Sequence, residues 1–140
     1  MQKYSRLVCI DVGKKRIGIA QTDLLQTIAS PVGTFSPGEV FSEIKKIGTQ
    51  APIKAFVVGW PLTTSGQEGA ATEMVEKFIE KLQLSFPNIP VHKVDERYSS
   101  VRAKEAMIVA GFPKKKRREK ERVDRIAAAL ILQQYLENNY

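Results

Sequence analysis

Near its start the chain reads Leu7-Val8-Cys9-Ile10-Asp11-Val12-Gly13-Lys14-Lys15-Arg16-Ile17-Gly18-Ile19-Ala20. The apolar run at residues 7–10 is rich in branched side chains and predicts a buried β-strand that ends at Asp11. Gly13 can adopt backbone angles that are closed to other residues, so the chain can turn tightly beside the acid. A second strand at residues 16–22 then returns from this hairpin. Burial of a bare charge is costly, so the Asp11 carboxylate needs a cation, a donor or water.

The rest of the chain continues with strand and helix signals. Residues 27–35 predict a third strand, in which Pro31 indicates a sheet edge or a bulge. Ser36 and Glu39 form a capping-box pattern at the start of a helix that ends near residue 50. The other predicted elements are a strand at 53–58, a helix at 70–84, a strand at 91–94, a helix from residue 99 or 100 to 111 and a helix at 122–138.

The order of these elements predicts an α/β fold, formed as a single domain by residues 1–140. The first three strands form a meander. The later alternation of helices and strands implies parallel strands with right-handed crossovers. We therefore expect a mixed five-stranded sheet flanked by helices, with ligands bound outside the carboxyl ends of its parallel strands.

Composition favours a globular protein of a reducing compartment. Hydrophobic residues make up 43% and charged residues 26% of the chain, which are ordinary values for such a protein. The single cysteine, Cys9, excludes a disulfide within the chain and is predicted to fill the core. No apolar run approaches the ~20 residues of a membrane span, and the first residues do not resemble a signal peptide. The expected location is the cytoplasm, without a membrane contact.

Positive charge is concentrated in one segment. The formal net charge is +7, and residues 114–122 hold seven basic and two acidic residues, which leaves only +2 for the rest of the chain. Such a patch is typical of a contact with a polyanion, although solvated or disordered basic runs are also common. The residues that we expect to bind nucleic-acid phosphates are Lys14, Lys15, Arg16, Arg97, Lys114, Lys115, Lys116, Arg117 and Arg118.

Acidic residues from three places in the sequence are expected to lie close together in the fold. Asp11 ends the first strand, and Asp95 and Glu96 end the last, so these acids share one end of the sheet if both strands belong to its parallel part. Asp124 precedes the apolar residues 127, 128, 131, 132 and 135 at helical spacing, which places it on or beside the apolar stripe of the final helix. An Asp is rarely found there without a partner.

Carboxylates that meet in this way suit the metal-assisted hydrolysis of a phosphodiester. Mg²⁺ binds one or two carboxylates together with waters and phosphate oxygens, and two ions ~3.5–4 Å apart can stabilise the attacking and leaving oxygens. No Ser, Cys or His nucleophile is then required, and His92 is predicted to be a surface residue of a strand. Neighbours in a strand point to opposite faces, so one of Asp95 and Glu96 is expected to point away, and the sequence does not say which.

Each acid also has a structural alternative. Asp11 could cap the turn at Gly13. Either acid of the pair at residues 95 and 96 could form an ion pair with Arg97. Asp124 could cap the final helix or form an ion pair with the basic residue at position 120 or 125.

Four segments together resemble the YqgF/RuvX family, whose members are described as Holliday junction resolvases or as pre-16S rRNA nucleases. The segments appear in order and cover nearly the whole chain. They are the quoted run at residues 11–20, Val58-Gly59-Trp60-Pro61-Leu62 with Gly66, Asp95-Glu96-Arg97, and Asp124-Arg125-Ile126-Ala127-Ala128 with Ile131-Leu132-Gln133-Gln134-Tyr135-Leu136. Trp60 stands where a smaller apolar residue is more usual, and Thr63 where an Asn is common. Trp60 could stack on a base or pack beneath the adjoining loop.

The resemblance implies an RNase H-like fold and a divalent-metal nuclease. Asp11, Asp95 or Glu96, and Asp124 are the implied catalytic ligands of Mg²⁺ or Mn²⁺, with two ions expected. The expected substrate is structured nucleic acid, namely an rRNA precursor in 5′-end processing of pre-16S rRNA and ribosome biogenesis, with the ribosome as a further partner. The sequence does not determine whether the chain is a monomer or a homodimer.

Three other functions remain open at this point. One is a Holliday junction resolvase that acts on branched DNA. Another is a ribosome assembly factor that binds nucleic acid without cleaving it. The third is a nucleotide-binding phosphotransferase, although that architecture usually needs two lobes and a chain of this length supplies one.

Overall fold

Five strands and three helices make up the described part of the chain. The computed structural model describes residues 4–61, 69–95 and 120–139, and residues 120–125 and 138–139 by their backbone alone. In chain order the elements are β1 Arg6–Val12, β2 Ile17–Thr22, β3 Ala29–Phe35, α1 Val40–Gln50, β4 Ile53–Trp60, α2 Ala70–Ser85, β5 Val91–Asp95 and α3 Lys120–Asn139. The helix predicted to end at residue 111 lies outside the described residues. None of the described helices is long and apolar enough to cross a bilayer.

The strands form one mixed sheet in the order β3-β2-β1-β4-β5. β1, β2 and β3 pair antiparallel, and β4 runs parallel to both β1 and β5. The α/β class and the mixed five-stranded sheet are therefore confirmed. β3 is an edge strand, and its pairing with β2 shifts by one residue next to Pro31. Pro31 thus marks both an edge and a bulge, where a missing N–H is tolerated.

Strand alternation divides the core into two clusters, one on each face of the sheet. On the face that we call the α1/α2 face, Val8 and Ile10 pack with side chains of α1 and α2. On the opposite face, the α3 face, Leu7 and Cys9 pack with side chains of α3. Cys9 is fully buried, which confirms its predicted place in the core.

Several element boundaries differ from the prediction. β1 continues to Val12, so Asp11 is the second-to-last residue of the strand rather than its end. The reason is that Asp11 still pairs with Gly18 of β2, and backbone pairing does not stop at a charged side chain. β4 likewise continues to Trp60. β3 begins only at Ala29, because the two preceding amides, of residues 27 and 28, donate to the carboxylate of Asp23 instead.

α1 begins later than the capping-box pattern predicts. Residues 37–39 form a turn, and the helix starts at Val40. The Glu39 carboxylate accepts hydrogen bonds from the Ser36 hydroxyl at 2.7 Å and from the Ser36 amide at 3.3 Å. These bonds hold the pKa of Glu39 below its ordinary value, with the hydroxyl bond as the main cause. The predicted pairing of Ser36 with Glu39 is therefore confirmed, but it closes a turn that precedes the helix.

Candidate active site

A tight hairpin follows Asp11 and presents basic side chains beside it. The Gly13 amide donates to the Arg16 carbonyl at 3.0 Å. A Cβ atom at Gly13 would lie 2.6 Å from that same oxygen, so a side chain does not fit at this position. Lys14 and Lys15 are exposed at the tip, and Arg16 is half-buried. The predicted glycine turn is therefore present, with two exposed lysines at its tip.

Asp11 lies near the carboxyl end of the central strand. β1 has β2 on one side and β4 on the other. Asp11 follows Cys9 by two residues, so alternation places it on the α3 face, and it is half-buried there. A half-buried carboxylate at the carboxyl edge of a parallel strand is well placed to meet a ligand.

Asp95 lies at the same edge of the sheet but on the other face. β1, β4 and β5 run parallel, and Asp95 is the last residue of β5. Val91 packs against the α1/α2-face cluster and Val94 against the α3-face cluster, so alternation places Asp95 on the α1/α2 face. Its register partner Trp60 packs on that same face. β4 also separates the strands of the two acids, which puts the strand axes ~10 Å apart.

A cation–π contact covers the ring of Trp60. The Lys93 ammonium lies 4.1 Å from the ring centroid and donates to the Glu76 carboxylate of α2 at 3.1 Å. Trp60 is half-buried against the α1/α2-face cluster. Trp60 therefore packs against the core on this face, and the loop beneath which it could pack lies outside the described residues. A base that stacked on this side of the ring would first have to displace Lys93.

α3 buries an apolar stripe against the sheet. Its buried residues are Ala127, Ala128, Ile131, Leu132, Tyr135 and Leu136, which confirms the predicted spacing. The hydroxyl of Tyr135 is hydrogen-bonded to His92 Nδ1 at 2.6 Å. His92 is exposed on β5, as predicted, and this bond ties the strand to α3.

The direction of α3 follows from one contact near its carboxyl end. The Ala29 amide donates to the side chain of Gln133 at 3.3 Å. Ala29 pairs with Thr22, whose hydroxyl accepts a bond from the Leu7 amide, so Gln133 lies at the amino end of β1. The residues that precede Gln133 in α3 are buried against the sheet. From this point the sheet extends toward the carboxyl end of β1, so these residues lie in that direction. The backbone of Asp124 belongs to this earlier part of the helix, one turn before Ala128.

The expected site residues are described to different extents. Among the side chains that the structure describes, no three His, Cys, Asp or Glu residues form a group that could hold a metal ion. Asp11 and Asp95 belong to the described residues and lie on opposite faces, and Asp124 is described by its backbone only. The others, outside the described residues, are Glu96, Arg97, Lys114, Lys115, Lys116, Arg117 and Arg118.

A cavity beside the hairpin was not anticipated from the sequence. It has a volume of about 400 Å³ and lies on the α1/α2 face. Lys77 and Lys81 of α2 line it, together with Glu73 and Lys14. The spacing of four residues between Glu73, Lys77 and Lys81 was the available signal, since it places all three on one side of a helix.

Comparison with known sequences identifies close relatives. The family model described as "RuvX: Holliday junction resolvase" matches residues 5–138. A protein of Chlorobium phaeobacteroides (strain BS1), called "Putative pre-16S rRNA nuclease", is 43% identical over 133 residues, which cover 95% of this chain and 92% of that protein. A protein of the same name from Parabacteroides distasonis is also 43% identical, over 95% of each chain.

Solved structures of similar fold come from Thermus thermophilus. The chain in "T. thermophilus RuvC in complex with Holliday junction substrate" matches with a TM-score of 0.58 and 17% identity, over 97% of both chains. The chain in "Thermus thermophilus RuvC structure" matches with a TM-score of 0.54 and 14% identity, over 95% of this chain and 96% of that one. At such identities the likeness concerns the fold alone, and it confirms the predicted RNase H-like architecture.

Proposed function

This chain belongs to the RuvX family, and we propose that it is a divalent-metal-dependent nuclease that hydrolyses phosphodiester bonds of structured nucleic acid. The proposed substrate is a precursor of 16S rRNA, because relatives that are 43% identical carry that name. The reaction would take place in the cytoplasm, as a step of ribosome biogenesis. The match at residues 5–138 supports extending the activity of the family to the whole chain.

The observation that carries the proposal is the position of Asp11. It is half-buried at the carboxyl end of the central parallel strand, and it lies on the face that α3 covers. Two exposed lysines follow it in the hairpin. A carboxylate beside cations at such an edge suits a site that handles a metal ion and a phosphate together.

We propose Asp11, Glu96 and Asp124 as the metal ligands. Asp95 lies on the opposite face, so in an extended chain the next residue, Glu96, would lie on the α3 face with Asp11. The direction of α3 supports Asp124, because the earlier part of this helix lies toward the edge of the sheet where Asp11 is found. Carboxylate oxygens are the donors that Mg²⁺ and Mn²⁺ prefer, so the residue types fit these ions.

Bound Mg²⁺ or Mn²⁺, two ions in our proposal, would supply a water of lowered pKa and charge stabilisation at the phosphate. The chain itself holds the substrate in place. Lys14 and Lys15, exposed in the hairpin that follows Asp11, bind phosphates of the substrate. Such backbone contacts position a nucleic acid without reading its sequence, so specificity comes from its shape.

The test compares two substrates under two conditions. The full chain is incubated with a pre-16S rRNA fragment or with a four-way DNA junction, in Mn²⁺ or in EDTA. We expect cleavage of the RNA in Mn²⁺ only, with a loss of at least about 100-fold in Asp11→Asn and with RNA binding retained. Asp23→Asn is the matched control, because Asp23 follows β2 and so lies at the opposite end of the strands from Asp11.

Four outcomes would contradict the proposal. Cleavage in EDTA would exclude a metal-dependent reaction. Equal cleavage by the wild type and by Asp11→Asn would show that Asp11 is not the central metal ligand. Binding without cleavage of either substrate would favour the assembly factor, whereas cleavage of the junction alone would favour the resolvase that the family description names.

A further inference from the structure

The cavity on the α1/α2 face has a fixed apolar floor. Val12, Ile17 and Phe78 contribute to it and are 8%, 1% and 8% exposed, so they are part of the hydrophobic core. Phe41 also lines the cavity, and its ring lies 5.3 Å from that of Phe78. A volume of about 400 Å³ is in the range of sites for small organic molecules, which includes one nucleotide. The floor therefore exists before any ligand binds.

The rim of the cavity is positively charged. Lys14 reaches it from the hairpin, and Lys77 and Lys81 reach it from successive turns of α2. Glu73 is the single acid among the described residues that line it. Apolar walls below three ammonium groups complement a molecule that joins a flat apolar ring to a negative charge. A nucleotide has this chemistry, whereas an uncharged apolar compound or a cation does not.

The cavity adjoins the proposed active site across the thickness of the sheet. Val12 and Gly13 line it, and they follow Asp11 directly in the chain. Asp11 and Val12 point to opposite faces, and consecutive residues of a strand are ~3.3 Å apart along its axis. A nucleic-acid strand that crosses the carboxyl edge of β1 therefore meets Asp11 and the cavity at neighbouring positions.

We propose that this cavity receives an unpaired nucleotide of the substrate, next to the bond that is cleaved. Its base enters the apolar floor, and its phosphate contacts Lys77 and Lys81. A base inside a duplex cannot enter, because its faces and its pairing edge are already occupied. The inference rests on the proposed nuclease function and adds that the preferred substrate has a single-stranded nucleotide beside the cleavage site.

The first test uses an RNA hairpin with a single-stranded tail, in which one tail nucleotide at a time is abasic. Ala70 is exposed, begins α2 and lines the cavity, so Ala70→Trp fills the cavity from its rim. We expect one abasic position to weaken binding to the wild type by about tenfold, as the loss of one stacked base does. Ala70→Trp should bind the intact RNA about tenfold more weakly and should be insensitive to that abasic position.

The second test reverses charge at two places by the same amount. Lys77→Glu with Lys81→Glu changes the rim, and Lys45→Glu with Lys46→Glu changes exposed residues of α1 that do not line the cavity. We expect the rim variant to lose at least about tenfold more affinity for the tailed hairpin than the control variant. These surface changes do not touch the core, so this arm remains decisive if Ala70→Trp does not fold.

Two results would overturn the inference. One is an abasic effect of the same size in Ala70→Trp and in the wild type. The other is an equal loss of affinity in the two charge-reversed variants. Asp11→Asn separates this inference from the nuclease proposal. If that variant abolishes cleavage while no cavity effect is found, the cavity proposal alone fails; if cleavage persists in it, the nuclease proposal fails whatever the cavity binds.

Discussion

Asp11 and Asp95 lie at the same edge of the sheet but on opposite faces of it, with β4 between their strands. Oxygen ligands of Mg²⁺ lie only ~2.0–2.1 Å from the ion. Two carboxylates that a sheet separates therefore do not share an ion unless the strand end rearranges. This position of Asp95 is the reason that we propose Glu96, and not Asp95, as the metal ligand.

The two neighbouring acids should respond differently to the loss of charge. We expect Glu96→Gln to lower metal-dependent cleavage by at least about 100-fold, because it removes a proposed ligand. Asp95→Asn should stay within about threefold of the wild type, because Asp95 lies on the other face. Single-turnover cleavage in Mn²⁺ measures both. The reverse order of effects would show that Asp95 is the ligand.

Binding should depend strongly on salt. Lys14 and Lys15 are exposed in the hairpin after Asp11 and are proposed to contact phosphates, so each should release about one counterion on binding. We expect Lys14→Gln to lower the slope of log Kd against log salt by about one, with the same effect on RNAs of different sequence. Lys45→Gln, an exposed lysine of α1, is the control and should leave the slope unchanged. A flat salt dependence in the wild type would contradict this mode of binding.

Gly13 should not tolerate a side chain. An added Cβ would lie 2.6 Å from the Arg16 carbonyl oxygen, so Gly13→Ala has to open the turn beside Asp11. We expect a loss of about 1–3 kcal/mol in the free energy of unfolding. Thermal or urea unfolding of Gly38→Ala gives the matched comparison, since nothing lies within 4 Å of the Cβ added there. Equal stabilities of the two variants would show that the hairpin adapts.

The carboxylate of Asp23 should titrate at unusually low pH. It accepts bonds from the Ile28 amide, the Thr27 hydroxyl and the Thr27 amide, which lower its pKa from 3.8 to about 2, with the Ile28 bond as the main cause. A lowered pKa in the folded state stabilises the protein above pH 3.8, and this stability is lost as the pH falls through about 2. Asp23→Ala should therefore cost about 1 kcal/mol at neutral pH and much less at pH 2.

The Asp23 prediction has a direct measurement. A pH titration of the side-chain carboxyl by NMR reports the pKa itself, and urea unfolding at the two pH values reports the stability. Because Asp23 is exposed, its carboxylate is fully hydrated once these bonds are lost. An ordinary pKa for this group would show that the bonds to Thr27 and Ile28 do not persist in solution.

Truncation of a buried apolar side chain of α3 should destabilise the protein much more than truncation of an exposed one. Leu132 is fully buried between α3 and the sheet, so Leu132→Ala should cost about 2–5 kcal/mol through the cavity that it creates. Leu84 is 83% exposed, and Leu84→Ala should change stability by less than about 0.5 kcal/mol. Urea unfolding measures both. A small loss in Leu132→Ala would mean that α3 is not anchored as the buried stripe indicates.

Elements that depend on neighbouring residues were well predicted from the sequence. The apolar stripe of α3, the glycine turn after Asp11 and the edge position of Pro31 all agree with the structure. The errors lie at strand boundaries that are set by one specific hydrogen-bond partner and not by the type of residue. A charged residue was interpreted as the end of β1, whereas pairing of Asp11 with Gly18 extends the strand. The Asp23 carboxylate, in turn, delays the start of β3.

The order of strands and helices, the turn at Gly13 and the spacing of the buried residues in α3 follow from the sequence alone, because each depends on residues a few positions apart. The face of the sheet on which Asp95 lies, and the cavity between the hairpin and α2, required the folded chain. Both depend on the register of β5 against β4 and on the packing of α2 over β1. Local periodicity does not encode such contacts, since they join residues that are far apart in the chain.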